Sequence, residues 1–526
     1  MGLLLFILVS LLLIWFWGYL GWLGSFGLVG YGGKDFPFEF MFDEVACVAL
    51  FMLFCCGSVA LFYCHHYFSG GSDGYLLFPL VVWFLGVMVG LVVSSSMLFS
   101  LVLWEYLGLV SFFLILFYSN MSSLRASLVT LFASRFGDVS LFMLIGWLVM
   151  WAGVSGVLFV LFVLLVILTK SACYPFISWL LEAMRAPTPV SSLVHSSTLV
   201  AAGVWFLLRY SSVCGGEVFV SLFFFSLVTI IITGFCASFF SDLKKVVALS
   251  TCNNISWCVV FFVCGDLGLS LLQLLSHGVC KCYLFMSVGD LMGLSGGSQS
   301  AVGVYLSRYT GSFGVVLQSV LIISLCGLPF LGVFFSKHGL FSSFMYVWGW
   351  GSAVLLVLGF FLSYVYSVRF VLLLVKLGGG LSLGYSSSFV VISLISLFGT
   401  FVNFLGCVLF DELVEMSVVG AVFLLCVQVL GSFFGLLLFL VGGSLWSGVW
   451  ESFLWGSDCV VGAVYDVFLW VSGPSVLSFY RWEFYLLGLF GGVLSLFVGL
   501  RRSFFSLNFM VCGLVFVFSL CFLVGV

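Results

Sequence analysis

The chain has 526 residues, 64% of them hydrophobic and only 7% charged, with a formal net charge of -3. A soluble domain carries about 25% charged residues to cover its outside, so the main solvent of this chain is lipid. The few basic residues are dispersed, which excludes a nucleic-acid partner, and no phosphate-binding Gly loop, dinucleotide fingerprint or zinc-protease helix is present in the sequence.

A helix that crosses a ~30 Å hydrocarbon layer needs about 20 mostly apolar residues. Such runs follow one another almost end to end, and about fifteen fit by that rule. They are unbroken runs of Leu, Val and Phe, unlike the short alternating segments of a transmembrane barrel. The expected fold class is therefore all-α, a polytopic transmembrane helix bundle. The run that precedes Lys34 lacks a basic flank and a small-residue cleavage site, and is predicted to be a retained first helix. The polar interval from Tyr31 to Glu44 is predicted to join it to the second span. Further breaks fall at Ser69–Gly74, Ser119–Arg125, Gly215–Glu217, Gly293–Arg308, Lys376–Ser388 and Asp411–Glu415, each mixing Gly, Ser or charge. The stretch 442–502 is more amphipathic, and part of it is expected to lie in the interface.

Two prolines stand close to lysines. Pro175 follows Lys170 in TKSACYPF, and Pro329 precedes Lys337 in CGLPFLGVFFSKH. Proline removes a backbone donor, and lipid tolerates the freed carbonyls only where protein or water satisfies them. Two broken helices of the kind that build ion sites in transporters are predicted. The 18 cysteines sit among apolar neighbours and read as small packing residues, because metal-ligand spacings are missing.

Charges inside membrane helices cost about 2.5–3.5 kcal/mol each on insertion scales, and so mark function. Glu105 and Lys281 lie deep in apolar runs, and Lys170 ends one. His277 and Lys281 are four apart and share a helical face, near enough to pass a proton. Arg135 and Asp138 can pair, as can Glu182 and Arg185. His195 shares its face with Ser191, Ser192 and Thr198, a polar lining. The string Asp242-Leu243-Lys244-Lys245 is expected to be a solvated interfacial loop, and His65 and His66 to end a span at the surface. Desolvation pushes a buried lysine toward its neutral form and a nearby carboxylate pushes it back. A swing of about 3 pKa units is worth about 4 kcal/mol, against about 2.3 kcal/mol to move one charge through 100 mV. The pattern suits proton transfer.

APTPVSSLVHSSTLVAAGVWFLLR (186–209), DLKKVVALSTCNNISW (242–257), SHGVCKCYLF (276–285) and GLPFLGVFFSK (327–337) resemble the chain 5 family of mitochondrially encoded NADH:ubiquinone oxidoreductase subunits. LWEYLGLVSFFLI (103–115) and SRFGDVSLFML (134–144) agree with it in the same order, and the resemblance covers about 40–410. It implies an antiporter-like domain of about 76–410, preceded by N-terminal helices (1–75) and followed by C-terminal helices (411–526) with a lateral helix near 480–505. It implies proton pumping coupled to NADH oxidation, with Glu105 paired to Lys170, a central Lys281 preceded by His277 with His195 nearby, and Lys337 after the second break. FMN, iron–sulfur clusters and ubiquinone would belong to other subunits, and this chain would bind no cofactor. The implied partners are the other subunits, sister chain 4 above all, with lipid, water and protons. The implied place is the mitochondrial inner membrane, and the abundance of residues with T- and G-rich codons suits an organelle gene. Two departures stand out: Gln273 replaces a usual histidine, and His338 replaces a usual acid at the exit. The rival expectations are a stand-alone cation/proton antiporter subunit and a structural subunit whose proton path is inactive.

Overall fold

The computed structural model describes residues 22–28, 36–68, 72–150, 156–294, 297, 299–301, 312–328, 333–347, 350–376, 418–441, 466–467 and 469–490. The chain divides into two compact units, Met1–Cys459 and Val460–Val526.

The first unit begins, among the described residues, with a strand pair where a helix and a polar loop are expected from the sequence. β1 (Trp22–Leu28) runs antiparallel to β2 (Phe36–Phe42), with Trp22 opposite Phe42 and Leu28 opposite Phe36. The alternation of Phe36, Phe38, Phe40 and Phe42 with other residues has the period of a strand. Residues 1–21 of the expected first helix lie outside the described residues.

Helices follow in order: α1 (Glu44–Tyr67), α2 (Ser72–Val93), α3 (Met97–Leu116), α4 (Met121–Met150) and α5 (Val157–Lys170). Next come the short α6 (Ser178–Ala183) and α7 (Thr188–Leu193), a π turn at Val194–Thr198, and α8 (Leu199–Arg209). α9 (Gly216–Phe239), α10 (Leu243–Val263), α11 (Leu267–Leu294), α12 (Ser312–Cys326), α13 (Phe334–Val347), α14 (Trp350–Lys376) and α15 (Val418–Val441) complete the unit as described. α1 starts where Asp43 caps it, its carboxylate accepting from the Ala46 N–H at 2.9 Å. Among the described residues ten helical segments are long and apolar enough to cross a membrane, and α5 and most of α12 are shorter apolar helices.

Burial reverses the usual sense of outside and inside. The span Thr188–Arg209 is wholly buried, while Val422–Val441 keeps 28% of its window inside, with Phe433, Leu437 and Leu440 exposed. Apolar side chains can face lipid at no cost, so polarity collects on the enclosed helices α7, α8, α10 and α11.

The first break is clear. α5 stops at Lys170, Ala172 takes a positive φ of 53°, and the Tyr174–Pro175 peptide is cis. Carbonyls freed by the break find donors inside the protein: Trp179 Nε1 donates to Thr169 O at 2.9 Å and the Cys173 N–H to Leu168 O at 3.1 Å. At the second break α12 ends at Cys326, Gly327 takes φ 76°, and helix resumes at Phe334. Pro329 lies outside the described residues. So do 377–417, with Asp411, and most of 442–502. In the second unit a helix occupies 469–490 and carries Arg481 and Glu483; the remainder of the lateral helix expected near 480–505 lies beyond the described residues.

Candidate functional site

Lys170, Lys281 and Lys337 are each 3% exposed or less, as are His195 and His277. An ammonium shut away from water is tolerated only with partners, and each lysine has a different set.

Lys170 ends α5, with its Nζ 3.3 Å from Oδ1 of Asp138 on α4 and 5.3 Å from the ring centre of Trp104 on α3. The family-implied pairing with Glu105 is replaced. Glu105 pairs with Arg135, whose guanidinium also stands 3.5 Å from Oδ2 of Asp138. Four charges thus alternate in sign through Glu105, Arg135, Asp138 and Lys170, and sum to zero. Gly137 allows α4 and α5 to approach: a Cβ there would collide with the Thr169 hydroxyl. The Asp138 and Lys170 side chains are 1% exposed, whereas those of Glu105 and Arg135 are 41% and 39% exposed.

A cavity of about 10 Å³ separates Lys170 from His195 and is lined also by Ser111, Thr130, Ser134 and Thr169. That is about the space one water centre occupies. His195 sits in the π turn, where the Thr198 hydroxyl donates to Leu193 O at 2.9 Å. Such turns inside α-helices recur at functional sites. Both ring nitrogens of His195 and of His277 lack a hydrogen-bond partner among the described residues, and so are open to a proton carried by water.

Lys281 on α11 donates to the Ser250 hydroxyl of α10. Gln273, in the place of a family histidine, donates to Asn254 Oδ1 at 3.4 Å, and Asn254 donates to Ser250 O at 2.9 Å. Lys337 on α13 donates to Cys326 O at 2.8 Å, across the second break, so a cation faces the negative end of α12. Its Nζ is 5.8 Å from the ring centres of Trp257, Phe360 and Tyr364, three faces that favour a cation. His338 is half-buried and lies against Phe334, ring centres 3.9 Å apart.

Ser250, Asn254 and Trp257 share one face of α10 by their spacing. α10 therefore touches Lys281 through Ser250 and Lys337 through Trp257, about 10 Å apart along its axis. It also carries the one lysine that sequence reasoning placed wrongly. Lys244 is not in a solvated loop: it lies in the first turn of α10, 2% exposed, and donates to Ala186 O at 2.6 Å. Lys245 beside it behaves as expected, 3.2 Å from Asp242 and partly exposed. Two adjacent charges lie on different faces because a helix turns about 100° per residue. Glu182 and Arg185 pair at 3.0 Å with their side chains partly exposed. Among the described residues no group of three or more His, Cys, Asp or Glu side chains could hold a metal ion.

A bundle with two broken helices, and buried ammonium groups at the ends of both, has the build of an antiporter-like membrane protein. The profile of the NADH:quinone oxidoreductase/Mrp antiporter transmembrane family matches residues 94–365, more than half of the chain, and the chain belongs to that family. Among curated proteins it is similar to NADH-ubiquinone oxidoreductase chain 5 of Anopheles arabiensis, 32% identical over 57% of this chain and 81% of that protein. It is similar also to chain 5 of Mytilus edulis, 35% identical over 64% of this chain and 62% of the relative. With chain 5 of Caenorhabditis elegans it shares 36% identity over 56% of each chain. The chain thus spans little more than half the length of several of these relatives. Among solved structures it is similar to the Mrp complex from Dietzia sp. DQ12-45-1b, with a TM-score of 0.67 and 21% identity over all of this chain and 60% of that one. At that identity the likeness is one of fold.

Proposed function

We propose that this chain is a proton-translocating membrane subunit of NADH:ubiquinone oxidoreductase in the mitochondrial inner membrane, in the place of chain 5. The observation that carries the reading is the Lys170–Asp138 pair, both partners shut from water at a helix break, with a one-water cavity leading to an unpartnered His195. Asp138 touches Lys170 with one oxygen and Arg135 with the other. A shift of that carboxylate toward Arg135 withdraws the counter-charge from a buried ammonium, which favours the neutral amine. The proton released at Lys170 Nζ passes through the cavity to His195. His277 and Lys281 form the middle of the path, and Lys337 with His338 the exit. The redox chemistry, with FMN, iron–sulfur clusters and ubiquinone, belongs to other subunits, and this chain's share in the enzyme is translocation.

Glu105 and Arg135 also speak to partners. Both lie mid-helix and are about 40% exposed. Lipid is a costly neighbour for an ion pair, so this face of α3 and α4 is covered by another membrane subunit, and the sister chain 4 is the occupant we propose. The test is a native gel of the source membranes. This chain should migrate in a large assembly that stains for NADH dehydrogenase activity. Its absence from that band, with sodium-dependent proton exchange by membranes given no NADH, would favour the cation/proton antiporter instead.

A further inference from the structure

The proton path so described begins at the buried Lys170–Asp138 pair, out of reach of solution. At one end of the bundle, however, three titratable side chains meet from helices far apart in sequence. Asp290 lies in the last turns of α11, its side chain 26% exposed, and His66 in the last turn of α1, 52% exposed, with Nε2 3.7 Å from Asp290 Oδ1. Between them and the interior stands Tyr63, 3% exposed, its hydroxyl 3.0 Å from Asp290 Oδ1 and 3.1 Å from Met286 O.

We propose that His66, Asp290 and Tyr63 form a portal that carries protons between the aqueous surface and the buried histidines. The proposal rests on the translocation reading above. The Tyr63 hydroxyl has one proton, and both Asp290 Oδ1 and Met286 O lie within reach as acceptors. While Asp290 is ionised, Tyr63 donates to it. Once Asp290 is protonated, it can donate to the Tyr63 oxygen while the Tyr63 O–H turns to Met286 O. Both states are satisfied, which is what a group that gains and loses a proton at a half-buried site requires.

The way inward is lined with hydroxyls. A Cβ on Gly289 would stand 2.7 Å from the Tyr63 hydroxyl and 2.9 Å from Thr188 Cβ, so the absent side chain lets Tyr63 and Thr188 close together over α11. Thr188, Ser191, Ser192 and His195 follow at spacings of three and four, one face of α7 and the π turn, and all are 5% exposed or less. From Thr188 to His195 the rise is about 10 Å. In one passage, a solution proton forms the O–H of Asp290. That bond breaks as a new Tyr63 O–H forms, and the old Tyr63 proton, swung from Met286 O toward Thr188, leaves inward. The Ser191 and Ser192 hydroxyls donate to Thr188 O and Pro189 O at 2.9 and 2.8 Å, and neither ring nitrogen of His195 has a hydrogen-bond partner among the described residues, so water carries the proton along this face to His195, and one proton enters as one arrives. Lys244 is a buried cation that donates to Ala186 O, two residues before Thr188, and His65 is the other exposed titratable group on the last turn of α1.

The experiment compares NADH-driven proton pumping by sealed membranes holding the intact complex with parent chain, Asp290→Asn, Tyr63→Phe and Lys281→Ala. Asn keeps an acceptor for Tyr63 but cannot take up a proton. Pumping should slow about tenfold or more in Asp290→Asn, with normal assembly, and imidazole added as a mobile proton carrier should restore it in part. Tyr63→Phe, which keeps the ring, should slow pumping likewise and decides the matter if Asp290→Asn fails to assemble. Pumping at the parent rate in either variant overturns the portal, as does a loss in assembled Asp290→Asn that imidazole does not relieve. Lys281→Ala keeps the two claims apart: if it stops pumping while Asp290→Asn does not, the portal alone is wrong, and if it too pumps normally the translocation reading fails.

Discussion

Replacing Asp138 by Asn tests the assignment of Lys170's counter-charge. Lys170 Nζ and Asp138 Oδ1 are 3.3 Å apart with both side chains 1% exposed. At an effective dielectric of about 20 this attraction is about 5 kcal/mol. Asp138→Asn abolishes it and leaves the Lys170 and Arg135 cations facing each other across a neutral amide, so the four-charge group changes from a net of zero to plus one. Breaking one partner from a buried pair costs about 3–5 kcal/mol. A transition-state penalty of that size slows a step by about a hundredfold or more. The assay is the quench of a pH-sensitive dye by sealed membranes given NADH, with NADH oxidation in uncoupled membranes as the control. Asp138→Asn should lose pumping below detection and keep uncoupled oxidation. Glu105→Gln leaves the Lys170–Asp138 contact in place and should retain measurable pumping. The reverse order, with Glu105→Gln dead and Asp138→Asn active, would refute the assignment.

Two further substitutions bear on how the path is held. Gly203→Ala places a Cβ 2.8 Å from Ile167 O and 2.9 Å from Ser171 N, backbone atoms of the first break that cannot swing aside. Overpacking of this kind costs about 1–3 kcal/mol, and should appear as less assembled complex after mild heating on a native gel; equal survival would contradict the packing described. Lys244→Met keeps the stem and removes the ammonium that Ala186 O accepts from. It leaves the buried Ala186 O without this donor, at a cost of about 1–3 kcal/mol, and should lower survival of the assembled complex on the same gel, whereas a lysine in a solvated loop would give no change.

The spans were legible because lipid demands long apolar runs, and the first break because Pro175 interrupts one beside Lys170. Lys281 stood out as a charge in an apolar run and Lys170 as one that ends such a run, while Lys337 stood out through Pro329 before it. What the sequence hid was pairing across helices. The i,i+3 spacing shows that Arg135 and Asp138 can meet, but which of Asp138 and Glu105 reaches Lys170 depends on how α3, α4 and α5 rotate against each other. Lys244 was misread because a run of charge looks like a surface, while the fold turns one lysine of the pair inward. His66 and Asp290 are more than two hundred positions apart, and no local pattern links them. β1 was hidden in an apolar run that suits a membrane helix as well as a strand, and β2 in an interval whose Lys34, Asp35, Glu39 and Asp43 look like a polar loop.

The most direct measurement for the account as a whole is the ratio of protons pumped to electrons transferred by intact complex holding Lys281→Ala. Lys281 is 3% exposed, bonded to Ser250, and one turn from His277, whose ring nitrogens have no hydrogen-bond partner among the described residues. The account predicts assembled complex that oxidises NADH and a clearly lower ratio. An assembled Lys281→Ala complex that pumps at the parent ratio would contradict it, and would leave this chain a structural member of the membrane arm.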